Sequence, residues 1–228
     1  MEKTFFVTGT DTGVGKTRVA SALLHALSAQ GLRTAALKPV AAGVDVRSDA
    51  NGDANSDALL LQQAANSGQN YQQVNPVLLH DAIAPHIAAQ KAERVISITE
   101  LHEAALCARR GADALVVEGA GGWLVPLNDQ HTLADLAAEL QAQVILVVGM
   151  RLGCLNHALL SAAAIRACGC KLAGWVANCI DPDMPQRRAN TDALQQRLQA
   201  PMLAELEWAP DAQLADIAAR LQLAPLLY

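Results

Sequence analysis

The stretch Val7-Thr-Gly-Thr-Asp-Thr-Gly-Val-Gly-Lys-Thr17 lies between an apolar run that ends at Val7 and a helical pattern that opens at Lys16. A glycine-rich loop in that position turns backbone N–H groups inward, and with the helix dipole they form a seat for polyphosphate. Each residue type then has a task. Gly13 and Gly15 let the backbone close around phosphate oxygens, Lys16 reaches the β- and γ-phosphates as a mobile positive charge, and Thr17 offers its hydroxyl to Mg²⁺. Counted from Gly9, five residues precede Gly15 where the usual phosphate-binding loop has four. Gly-Lys-Thr between a strand and a helix carries the assignment despite that extra residue.

Composition narrows the partners. Of 228 residues, 52% are hydrophobic and 17% charged, which suffices for a sizeable core in a single domain over residues 1–228. A net charge of −5 speaks against a generally basic surface for nucleic acid or membrane, so a bound anion must be held by a local site. Five cysteines, an odd number with no C-x-x-C pair, make no disulfide framework at this length and point to a reduced, cytoplasmic protein. Cys168-Gly-Cys170 has no second pair at zinc spacing, and small buried thiols account for it better. The first residues enter a short strand without the long apolar segment of a signal peptide or membrane span.

Apolar runs alternate with helical spacing along the chain. Strands are predicted over residues 4–8, 34–40, 75–79, 114–118, 144–148, 172–178 and 202–205, with 123–127 also extended. Helices are predicted over 16–30, from Ser56, from Pro85, and over 98–110, 132–140, 157–167, 186–198 and 213–221. Residues 41–55, small and polar, read as a surface loop near a site. This order predicts an α/β fold: a P-loop NTPase-like domain with a mostly parallel sheet and helices on both faces. Ligands in such folds bind beyond the carboxyl ends of the strands. Thr8 with the loop to Thr17, Lys38 before Pro39, Glu118 before a glycine turn, and the Asn178 amide should therefore converge on one cleft. Asp57 has a plain alternative, since it also suits the start of a helix. No histidine pair has metal spacing; His86 and His157 read as helix-start or packing residues, and Trp123, Trp175 and Trp208 as core or interface anchors.

Taken together, Phe6 to Thr17, Leu37-Lys-Pro-Val40, Asn55-Ser-Asp57, Val117-Glu-Gly-Ala-Gly-Gly-Trp123, Leu152-Gly-Cys-Leu-Asn-His157 and Gly174-Trp-Val-Ala-Asn178 resemble the dethiobiotin synthetases over residues 4–210. The resemblance implies ATP- and Mg²⁺-dependent ring closure of 7,8-diaminononanoate with CO₂ or bicarbonate, through a carbamate and its mixed anhydride with phosphate. It implies that Lys16 and Lys38 are catalytic and that Thr17, Asp57 and Glu118 hold Mg²⁺. Gly13, Val14, Gly15, Lys16, Thr17, Arg18, Gly119, Ala120 and Gly121 would surround the nucleotide, with Asn178, Glu207, Trp208 and Ala209 at the base. Thr12, Lys38, Ala42 and Gly122 would face the substrate. Gly153, Cys154, Leu155 and Asn156 would hold its carboxylate across a homodimer interface. Three positions depart from the family's habit: Ala42 stands for a serine, Asn190 for a tyrosine and Glu207 for a proline.

The competing expectation is a nucleotide-driven switch of the partition or septum-site type. Many such proteins place a second lysine where this chain has Asp11, and the membrane-binding ones end in a basic amphipathic helix, whereas residues 214–228 contain one arginine.

Overall fold

The computed structural model describes residues 3–46 and 52–227; part of the loop expected over 41–55 therefore lies outside the described residues. Strand β1 (Lys3–Gly9) leads through the glycine-rich loop into α1 (Lys16–Ala29), followed by β2 (Thr34–Leu37) and β3 (Val40–Ala42). Helices α2 (Ser56–Ala64) and α3 (Tyr71–Val74) precede β4 (Val77–Leu79), α4 (Pro85–Lys91) and α5 (Ile98–Arg109). Then come β5 (Ala114–Glu118), α6 (Leu133–Glu139), β6 (Gln143–Met150), α7 (Cys154–Ala167) and β7 (Lys171–Cys179). The described chain closes with α8 (Arg187–Arg197), β8 (Met202–Leu206), α9 (Leu214–Ala218) and α10 (Ala224–Leu227).

The main sheet runs β2-β5-β1-β6-β7-β8, every pairing parallel, and β3 and β4 pair separately. The chain leaves β1 for the far edge at β2, returns to β5 on one side of β1, then continues with β6 on the other. The strand order reverses around β1, which is where an open α/β sheet leaves a crevice at its carboxyl edge.

Burial on both faces explains why the central strands read as unbroken apolar runs. In β6, Val144, Leu146 and Val148 join one core, with Leu115, Val117 and the apolar sides of α5, α6 and α7. Their neighbours Ile145 and Val147 join the other, with Phe5, Val7, Val116 and the apolar side of α1. Successive side chains point to opposite faces, so one strand feeds both cores.

Several predicted boundaries shift. The strand expected over 34–40 divides at Lys38-Pro39: β2 stops at Leu37, the Lys38 N–H donates to the Val74 carbonyl at 2.7 Å, and β3 pairs with β4 instead. Pro39 has no N–H for a ladder, so the chain leaves the sheet there. Residues 123–127 do not form a strand; the segment turns back, with the Leu127 N–H on the His131 carbonyl at 2.9 Å and a bridge between Pro126 and Thr132. Strand β6 does not stop at the predicted residue 148 but runs on through Gly149 to Met150. Helix α7 starts at Cys154, three residues before the predicted start, and α3 and α10 are short helices without a sequence expectation.

Candidate active site

Gly9 ends β1 where a Cβ would lie 2.6 Å from Val14 Cγ2, so the returning loop packs directly on the strand end. The loop is pinned to β6 by the Thr10 N–H on the Val147 carbonyl at 3.0 Å. Gly15 is the N-cap of α1 with φ 90°, its cap carries no side-chain hydrogen bond, and the first turn contains no acidic residue. The opening N–H groups of α1 therefore face the loop without a competing carboxylate, which is the arrangement that seats an anion. Across this loop the Lys16 ammonium donates to the Asp11 carbonyl at 3.0 Å. Its pKa is lowered to about 8, chiefly by burial and also by the Lys38 charge, against the opposing pull of Glu118.

Three further elements bring oxygen ligands and a second ammonium to the same rim. Glu118, at the end of β5, has no exposed surface; its Oε1 accepts from Thr17 Oγ1 at 2.9 Å and from Lys38 Nζ at 2.7 Å. Its Oε2 is buried without a hydrogen-bond partner. Lys38, just past β2, also lies 3.3 Å from Asp57 Oδ2 in the first turn of α2. Burial by itself would lower the Lys38 pKa, but Glu118 and Asp57 outweigh it and hold the ammonium above its ordinary value. Asp57 is not the cap of α2: Asn55 is, accepting the Ala58 N–H, which leaves the Asp57 carboxylate for Lys38. Thr17, Asp57 and Glu118 together present one hydroxyl and two carboxylates, the oxygen set that Mg²⁺ takes when waters and phosphate oxygens complete its shell. The partnerless Oε2 is the acceptor that such an ion or its water would satisfy.

These groups line one cleft of about 840 Å³, room enough for a triphosphate and a small second molecule. Thr12, Gly13, Gly15, Lys16, Thr17, Arg18, Lys38, Ala42, Asp57, Glu118, Ala120, Gly121 and Gly122 all line it. The other predicted residues lie elsewhere. Val14 is buried beneath the loop, and Gly119 packs against Phe6 and donates its N–H to the Val7 carbonyl at 3.0 Å. On the far side of α1, Asn178, Glu207 and Ala209 line a shallow cavity with Arg18, whose guanidinium donates to the Ala209 carbonyl at 2.7 Å. Asn178 Nδ2 donates to the Val14 carbonyl at 2.8 Å, so one amide hydrogen holds the phosphate loop. Trp208 is half exposed beside that cavity, and Glu207 turns to Arg187 at 2.6 Å. Gly153, Cys154, Leu155 and Asn156 open α7 outside both cavities, on a surface where Leu152 is 92% exposed. Asn190, in α8, donates to the Gln186 carbonyl at 2.9 Å.

Sequence reasoning missed the walls of the cleft. Leu60, Ile83 and Leu124 are exposed apolar side chains that line it, and residues 82–85 close one side. The apolar Ile83, two residues before the helix-starting Pro85, was the available signal. Arg151, beyond β6, was also missed; it pairs with the Asp11 carboxylate at 2.5 Å and so ties the phosphate loop to the start of α7.

The family model described as an AAA domain matches residues 3–215. The ATP-dependent dethiobiotin synthetase BioD of Cellvibrio japonicus is 51% identical over 226 residues, covering 99% of this chain and 98% of its own. The enzyme of the same name from Pseudomonas paraeruginosa is 50% identical, covering 97% of each chain. The chain belongs to the ATP-dependent dethiobiotin synthetase family. Membership makes it a P-loop, ATP-dependent ligase of biotin biosynthesis. Among solved structures, the cell division ATPase MinD of Pyrococcus furiosus superposes with a TM-score of 0.57 at 18% identity, covering 96% of both chains. A ParA family ATPase from Chlorobium tepidum gives 0.56 at 13% identity, covering 100% of this chain and 93% of its own. Those likenesses show the α/β fold alone, and the high-identity relatives decide the family. Among the described residues no helix is long and apolar enough to cross a membrane.

Proposed function

We propose that this protein closes the cyclic urea of dethiobiotin from 7,8-diaminononanoate, CO₂ and ATP within a single domain. One substrate amine adds to CO₂ and releases a proton, forming a carbamate. A carbamate oxygen attacks the γ-phosphorus, and the bond to the β-phosphate oxygen breaks with its electron pair leaving on ADP. The second amine then attacks the carbamoyl carbon, loses a proton and expels phosphate as the ring closes.

The observation that carries this reading is the convergence of Lys16, Lys38, Thr17, Asp57 and Glu118 on one cleft. An anionic carbamate approaching an anionic phosphate needs cationic charge at the meeting point, and two buried ammonium groups from separate elements offset that repulsion. Thr17, Asp57 and Glu118 would hold Mg²⁺, which would neutralise charge on the β- and γ-phosphate oxygens. Thr12, Ala42 and Gly122 would face the carbamate, Ala42 without the hydroxyl that the family commonly has there. Arg18, Asn178 and residues 207–209 would take the adenine. The seat at Gly153 to Asn156 would hold the substrate carboxylate of a partner protomer in a cytoplasmic homodimer. Support for that pairing comes from Leu152 and Leu160, exposed beside a helix N-terminus that lacks a side-chain cap.

The purified protein should release phosphate from ATP only when diaminononanoate and bicarbonate are both present, with mass detection of the cyclic urea. ATP turnover stimulated by DNA or lipid vesicles, with no urea formed, would instead support a switch. Sedimentation should give a dimer, and a monomer that turns over normally would remove the shared site.

A further inference from the structure

Lys38 and Asp57 stand on a strand end and a helix first turn, with no strand ladder to hold the one in register with the other. Their backbones are joined instead by hydrogen bonds through three uncharged side chains. Asn75 Nδ2 donates to the Lys38 carbonyl at 2.8 Å and to the Val77 carbonyl at 3.1 Å. The Tyr71 hydroxyl donates to Asn75 Oδ1 at 3.0 Å and accepts the Asn55 N–H at 2.8 Å. The Asn55 side chain accepts the Ala58 N–H at 3.3 Å, capping α2 immediately before Asp57's turn, and donates to the Gly43 carbonyl at 3.1 Å beside Ala42. Asn55 and Asn75 are both buried. The phenol is used as donor and acceptor at once, and the amide of Asn75 likewise, so every link has a defined direction.

We infer that Asn75, Tyr71 and Asn55 form a positioning relay that sets the Lys38 ammonium against Asp57 and Glu118. The inference rests on the roles proposed above for Lys38 and Asp57. These residues act through Lys38 and Asp57 rather than on the reacting atoms. The local scaffold has a separate anchor for comparison: Gln69 clamps the middle of β2, accepting the Ala36 N–H at 2.8 Å and donating to the Ala36 carbonyl at 2.9 Å. Gln69 therefore fastens the same segment to the same strand without touching Lys38.

The test compares Tyr71→Phe with Gln69→Ala. Phenylalanine keeps the ring but leaves the Asn55 N–H and Asn75 Oδ1 without this partner. For Tyr71→Phe, kcat for urea formation should fall on the order of tenfold to a hundredfold, the cost of misplacing a reacting group. ATP affinity without Mg²⁺ should stay within about twofold, while the Mg²⁺ concentration for half-maximal ATP binding rises several-fold. Gln69→Ala should lower Tm comparably and leave kcat and the Mg²⁺ dependence near wild type. If Tyr71→Phe does not fold, Asn75→Ala removes the amide donor to Lys38 and is read in the same way. A kcat and Mg²⁺ dependence unchanged in Tyr71→Phe, or the same losses in Gln69→Ala, would overturn the relay. Wild-type protein inactive on diaminononanoate would overturn the proposed reaction instead, and the Mg²⁺ dependence of ATP binding would still decide the relay.

Discussion

The Lys38 ammonium stands 2.7 Å from Oε1 of Glu118, and neither side chain is open to solvent. Lys38 is held above the unfolded lysine value of 10.5, Glu118 and Asp57 outweighing burial. A raised lysine contributes stability that is fully present below the unfolded value and is lost as pH rises through the folded one. The pair is therefore intact across the neutral range.

Removing one partner of a buried pair strands the other. Lys38→Ala should destabilise the ligand-free protein by about 3 kcal/mol or more, read as a lower urea midpoint. In the double variant Lys38→Met with Glu118→Leu, the loss should be well below the sum of the single losses, because no uncompensated charge remains. Urea formation should be abolished in Lys38→Ala while ATP binding persists. A variant that loses ATP affinity instead would place Lys38 in nucleotide binding.

Lys16 has the opposite shift. Its folded value of about 8 lies below the unfolded 10.5, so its charge opposes folding below about 8, and that penalty is relieved as pH rises between the two values. Phosphate binding needs the same charge, so ATP affinity should fall as pH rises through about 8, by up to about tenfold per pH unit. Calorimetric titration at constant ionic strength checks this, and Lys16→Arg should bind ATP without that alkaline loss. Affinity that stays flat to pH 10 would contradict it.

Gly15 sits at φ 90° with the Asn178 amide against the space a Cβ would take. Gly15→Ala should cost about 1–3 kcal/mol from backbone strain alone, with the collision added. Combining it with Asn178→Ala should recover the collision part and not the strain, which thermal melts of the single and double variants would separate. Full recovery would show that φ carries no cost here.

Arg18 holds the Ala209 carbonyl at 2.7 Å and so fixes the wall of the cavity behind α1. Arg18→Ala should raise the KM for ATP several-fold with little change in kcat, since the contact is remote from Lys38 and Glu118. Binding of inorganic triphosphate, which has no base, should be nearly unaffected. Equal losses for ATP and triphosphate would move Arg18 to the phosphates.

The glycine-rich loop was legible because its tasks are local: strand, turn and helix N-terminus lie within adjacent residues. Lys38 and Glu118 were legible through topology, since parallel strands deliver their ends to one edge. Asp57 was ambiguous in sequence because three residues in a row, Asn55, Ser56 and Asp57, can each cap a helix, and only coordinates show that Asn55 does. The start of α7 was misplaced because Gly153, left-handed at φ 95°, opens the helix without a side-chain cap that periodicity could detect. The apolar wall at Leu60, Ile83 and Leu124 comes from three separate segments, so no window of sequence contains it.

By itself the sequence determined the parallel α/β class, the phosphate seat and the chemical character of the residues at the strand ends, because these follow from short-range spacing and the two-residue period of buried strands. Tertiary structure alone decided that one ammonium meets two carboxylates, that Asn55, not Asp57, caps α2, and that an amide in β7 holds the phosphate loop. Only Lys38 and Glu118 follow a shared ladder, at the ends of β2 and β5; the other contacts join elements that have none. Only the packing of helices and loops on the sheet, a property of the whole core, brings them within a hydrogen bond of each other.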